Sequence, residues 1–199
     1  KLNITKTILE KDIILDKKAS LYNSNTIQYS DLQSLNYVQA KSLYPDSKKY
    51  VENKVTEDLI STKDNLGGSV FFDDTKEKKI IFPKLEQGSQ KITEYQLQIK
   101  EPRLLGSFYF QSSVPTEKGQ VQVITDAGIT LGFKTFNTDT FDIKYTKEER
   151  KGKTYHTWTA TNMPKYKHES STLSVTYFIP HIILYIESYT TKQGKQNVL

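Results

Sequence analysis

From about residue 78 to the C-terminus the chain alternates apolar and polar positions with a period of two, the pattern of strands that bury one face. In TEYQLQI, Tyr95, Leu97 and Ile99 take one face and Glu94, Gln96 and Gln98 the other. GQVQVITD repeats this with Val121 and Val123, TFDIKYT with Phe141, Ile143 and Tyr145, and TLSVTYFI with Leu173, Val175, Tyr177 and Ile179. In YHTWTATNMP, His156, Trp158 and Ala160 share one face, Tyr155, Thr157 and Thr159 the other, and Pro164 ends the strand because it has no N–H for a ladder. Between these runs lie EQGSQ, KEPR, PTEKG, TDAG, ERKGK and NMPKYK, whose Gly, Pro and Asn suit tight turns. Short strands at regular turns predict an all-β fold, an antiparallel β-sandwich.

The first 75 residues are less regular. DIILD, NTIQYS and SLNYVQAKSLY have strand character, whereas residues 47–66 fit a strand or one short helix, since Val51, Val55, Leu59 and Ile60 match helical spacing only loosely. No Ser/Gly/Pro linker and no internal repeat divides the chain, so a single large domain over residues 1–189 is expected. The polar tail 190–199 loses the alternation and is expected to start a linker to a downstream domain.

Composition supports the fold class and removes several functions. The 199 residues suffice for a substantial core, and 13 Tyr with 9 Phe favour strands. Cys is absent, which excludes disulfides, thiolate metal sites and a cysteine nucleophile within this chain. The net charge of +5 comes from dispersed lysines with only two arginines, Arg103 and Arg150. Arg supplies most bidentate phosphate and base recognition, so no nucleic-acid partner is expected. No apolar run approaches the roughly 18 residues of a membrane-spanning helix; the longest, HIILYI, has strand length.

Candidate chemistry is sparse. A metal-dependent hydrolase would draw on His156, His168 and His181, with Glu169 nearby, but their separations follow no ligand spacing and no metal or other cofactor is expected. The adjacent carboxylates Asp73 and Asp74, or Glu148 and Glu149, would point to opposite strand faces and make no dyad. NLGGSV lacks the Lys-Ser or Lys-Thr of a phosphate loop, and no nucleophile elbow is present. Exposed aromatics, Tyr166 and Tyr177 foremost, could serve a stand-alone carbohydrate-binding module. Phe108, Phe110 and Trp158 fit the core better than a ligand face.

Several segments in order carry a family resemblance: QAKSLYPDSKKY, IIFPKLEQGSQKITEYQLQI, FYFQSSVPTEKGQVQV, YHTWTATNMPKYKHE and YFIPHIILYIESY. Together they resemble the domain of unknown function 3857 found at the N-terminus of bacterial, especially Bacteroides-type, transglutaminase-like proteins. Trp158, Ala160, Asn162, Pro164 and Glu169 fall in that family's Trp-x-Ala-x-Asn-x-Pro…Glu order. The resemblance implies a non-catalytic β-sandwich preceding a papain-like transglutaminase fold whose Cys, His and Asp would lie beyond Leu199. It further implies export to the periplasm or cell surface, by a secretion or lipoprotein signal. The family has no assigned activity, so Trp158, Asn162, Pro164 and Glu169 are expected to be structural, with Glu169 bonding its own loop. The expected role is to position or recognise a protein, peptide or glycan substrate.

Overall fold

The computed structural model describes residues 2–64, 74–166, 174–191 and 193–198. They form fourteen antiparallel strands and three short 3-10 turns. The chain divides into two compact units, Lys1–Glu101 and Pro102–Leu199. The sequence expectation was one large domain; the junction around Pro102 carries none of the Gly/Ser-rich composition that marks a linker.

In the first unit, β1 (Ile4–Ile13), β7 (Gln90–Ile99), β3 (Gln33–Asp46) and β4 (Lys49–Lys54) form one sheet in that order. A second sheet holds β2 (Ser24–Tyr29), β6 (Lys76–Ile81) and β5 (Ile60–Asp64). Buried Ile27, Ile80 and Phe82 from the smaller sheet's side pack with Leu35, Val38, Ala40 and Tyr95 of the larger one, which makes the unit a sandwich. The inner face of β7 is Lys91, Thr93, Tyr95, Leu97 and Ile99, as the alternation predicts. Opposite it the edge strand β1 places Ile4, Lys6, Ile8, Glu10 and Asp12. Inward charges on an edge strand discourage pairing with another chain. The Lys91 Nζ reaches Asn25 Oδ1 at 2.6 Å and Asp12 Oδ2 at 3.3 Å, so this buried ammonium is partnered. The ambiguous 47–66 stretch contains β4, a 3-10 turn at Glu57–Leu59 and all of β5, and no α-helix occurs among the described residues.

The second unit is also a sandwich. One sheet is β11 (Ile143–Arg150), β12 (Lys153–Met163) and β9 (Thr116–Asp126). The other centres on β13 (His181–Thr190), with β10 (Ile129–Phe136) along one edge. On the other edge of β13 lie β8 (Ser107–Tyr109), against its first three residues, and β14 (Gln196–Val198), against its last three. Phe110, Leu131, Trp158, Ala160, Met163 and Ile182 form the buried core between the sheets. The β11–β12 hairpin closes through Lys151 and Gly152, at φ of 51° and 73°, between the paired Arg150 and Lys153. Two positive φ values match the strand twist, and Gly at the second position carries no Cβ penalty.

One expectation is corrected here. TLSVTYFI was predicted as a strand; within its described part, Val175–Tyr177 is a 3-10 turn instead. Its carbonyls are claimed locally: Asn137 Nδ2 donates to Tyr177 O at 2.7 Å and, more weakly, to Ile179 O at 3.4 Å, and Pro180 has no N–H to offer a ladder. Within residues 190–199, Gln196–Val198 turns back to pair with Ser188–Thr190. A Thr191–Lys195 backbone bond of 2.9 Å and Gly194 at φ 79° make that turn.

Candidate functional site

Two aromatic groups in the second unit gather most of the chemistry-bearing side chains. The first stands on β11 and β12, where register sets Tyr145 opposite Trp158 and Lys147 opposite His156. Trp158 is 1% exposed and lies 4.9 Å from both Phe133 and Tyr145, ring centroid to centroid. His156 is 7% exposed, and its ring lies 6.2 Å from that of Tyr145 and 6.1 Å from that of Trp158. Its Nδ1 shares a hydrogen bond of 2.8 Å with Tyr145 Oη. Burial, aided by the positive Lys147, holds the His156 pKa below its ordinary value, so the neutral ring is favoured. Burial also raises the Tyr145 phenol. These rings pack against one another and fill the space they enclose, a structural arrangement.

The second group is the outer face of the β8-β13-β10 sheet. Along β13 the residues Ile182, Leu184 and Ile186 face the core while His181, Ile183 and Tyr185 face outward. The outward row across three strands is Tyr109, His181 and Phe136. His181 stacks on Phe136 at 4.8 Å and 9°, and lies 5.1 Å from Tyr109. Its Nδ1 sits 2.9 Å from Ile179 O. Four residues on, the Tyr185 ring lies over Gly132, where any Cβ would come within 2.2 Å of the ring. The bare Cα of Gly132 is what lets this ring lie down on the sheet. Tyr109, Phe136, Ile183 and Tyr185 are each exposed, and Tyr177 and Phe178, preceding β13 in the chain, are 68% and 60% exposed.

The sequence candidates distribute as follows. Trp158 is in the core, as expected. Asn162 is left-handed, at φ 53°, and with Glu117 opposite it is skipped in the β12–β9 ladder, whose register is the same on either side. The carbonyl of Pro164 accepts from Gln111 Nε2 at 2.9 Å, and Tyr166, half-buried, donates its backbone N–H to Ser112 O at 3.0 Å. His168 and Glu169 lie outside the described residues. His156 and His181 belong to different sheets, and each has its Nδ1 engaged. Among the described residues no group of three or more His, Asp or Glu side chains is placed to hold a metal. Sequence reasoning did not single out Tyr109, Phe136, Tyr185 or Gly132. HIILYI looks apolar throughout, so its outward half could be found only by knowing that one side of the sheet is uncovered.

Two units built of antiparallel sheets define an all-β class of fold. The sequence profile of DUF3857, a domain of unknown function with a solved structure, matches residues 7–167, and the chain belongs to that family. Among solved structures it is similar to a protein from Parabacteroides distasonis ATCC 8503 described as a "putative protease". The TM-score is 0.69 at 17% identity, over 90% of this chain and 36% of that one. At that identity the likeness establishes the fold. The chain thus spans about a third of the length of the solved relative. No curated protein matches.

Proposed function

We propose that this chain is the non-catalytic accessory portion of an exported transglutaminase-like, cysteine-protease-like protein, in which it positions or recognises a protein, peptide or glycan substrate. The observation that carries the reading is the combination of DUF3857 membership with a likeness to 36% of a longer protein described as a "putative protease". The absence of Cys from the sequence is consistent with it, since a thiol nucleophile would have to come from elsewhere in the polypeptide. Export to the periplasm or cell surface is part of the same reading. Determining the gene sequence past Leu199 tests it: a Cys followed by His and Asp is expected within the next few hundred codons, and an open reading frame that ends without them sinks the proposal.

A second reading, a carbohydrate-binding module, draws support from Tyr185, whose ring lies on the sheet over Gly132, and from the exposed Tyr177. Rings presented this way can stack on the apolar face of a sugar. A glycan array with no signal above background removes this reading.

A further inference from the structure

The outer face of the β8-β13-β10 sheet has the composition of an interface core. Ile183 and Tyr185 stand in its middle, Tyr109 and Phe136 flank it, and Lys134, opposite Ile183, is the charged residue in those rows. Protein interfaces concentrate aromatic residues at such centres and keep charge at the rim. A sugar-binding platform needs ring faces open to solvent, yet His181 and Phe136 spend one face each on the other at 4.8 Å. That favours a protein surface over a glycan as the occupant.

The ladder points to which protein. On the edge of β13 away from β10, β8 pairs with His181–Ile183 and β14 with Ser188–Thr190. Between them Leu184 donates its N–H to Gly106 O at 3.2 Å, and Tyr185 and Ile186 have register partners in β10 alone. β13 therefore lacks a strand partner at Tyr185 and Ile186 on this edge, the side away from Gly132 and the ring above it, and incomplete edges recruit further chain. β14 runs antiparallel to β13 and reaches Val198 opposite Ser188, so its direction leads along this open stretch. Polypeptide following β14 is delivered to the border of the aromatic face.

We propose that this face, Tyr109, Phe136, Ile183 and Tyr185, is the seat of the domain that follows in the same polypeptide, held on the accessory domain as a rigid neighbour; this rests on the reading above that a transglutaminase-like domain follows. Contact through a fixed apolar face would set the orientation of the catalytic cleft relative to the accessory domain, which a flexible linker cannot do.

The test uses the full polypeptide encoded by the gene, with the photo-cross-linking residue p-benzoylphenylalanine placed at position 185, at position 183, or, as a control, at Ile124. Ile124 is 50% exposed on the other sheet. Trp158 fluorescence, reporting the core of this unit, verifies that each variant folds. The expected result is an intramolecular cross-link from positions 183 and 185 to peptides beyond Leu199, several-fold above the control. Two folded variants without such a cross-link, while a downstream domain is present, overturn the inference and leave the proposed function standing. A cross-link joining two copies of the chain, or a positive glycan array with no cross-link, likewise overturns it. A gene with no downstream domain overturns both readings at once.

Discussion

Acidification should weaken the second unit through His156. The ring is 7% exposed, shares a 2.8 Å hydrogen bond with Tyr145 Oη and faces Lys147 across the ladder. Its pKa is lowered in the folded state from an ordinary value of 6.5, first by burial and then by Lys147. A lowered histidine pKa means that the unfolded chain takes up the proton first. Stability from the neutral ring is therefore complete above the ordinary value. It declines as pH falls through the window between that value and the folded pKa, and levels off below the folded pKa. Within the window the limiting slope for one proton is about 1.4 kcal/mol per pH unit. The sole tryptophan, Trp158, lies 6.1 Å from the His156 ring and reports unfolding of this core directly. Urea titrations followed by its fluorescence, between about pH 5 and pH 7, should show wild type losing stability relative to His156→Phe as the pH drops. Subtracting the two curves removes the carboxylates that both chains share. Tyr145→Phe, which leaves Nδ1 without its phenol, should cost about 1 kcal/mol at neutral pH. Parallel wild-type and His156→Phe curves, or a wild type that gains stability on acidification, would refute the reasoning.

Other substitutions probe separate parts of the fold. Asn162 is left-handed near the end of β12, so Asn162→Val should destabilise by about 1–2 kcal/mol while Asn162→Gly stays near wild type; equal effects in thermal unfolding would contradict a cost from the left-handed backbone. Asn25→Ala removes the closest partner of the Lys91 ammonium, at 2.6 Å. It should cost about 1.5–3 kcal/mol by urea titration, and a neutral result would mean that Asp12 suffices. Gly132→Ala must lift the Tyr185 ring off the sheet, and about 1 kcal/mol of destabilisation is expected; the double change with Tyr185→Ser should cancel that penalty, and additive losses would show that the ring is not the obstacle.

Much of the second unit was legible in the sequence because its strands keep strict alternation over a core that needs it. Val121, Val123, Ile143, Trp158 and Ala160 all join the cluster that the period of two assigns to the inner face. Trp158 as core and the end of its strand near Asn162 and Pro164 were readable for the same reason. The first unit was harder to read because its edge strand turns Lys6, Glu10 and Asp12 toward the inner side, which breaks the apolar period. The 3-10 turn at Val175–Tyr177 was misread because Tyr177 mimics alternation, whereas its environment is solvent and the Asn137 side chain.

By itself, then, the sequence determined the class of fold, the major strands of the second unit and the family to which the chain belongs, since side-chain period, turn residues and residue order are local properties. Tertiary structure decided what is non-local. It alone showed the division into two compact units, the return of Gln196–Val198 onto β13, and the separation of His156 from His181 into different sheets. It also decided that only the inward half of HIILYI is covered. An apolar residue in a strand carries no mark of which face a second sheet will reach, so the outward Ile183 and Tyr185 became visible as a surface only once β10, β8 and β14 were in place around β13.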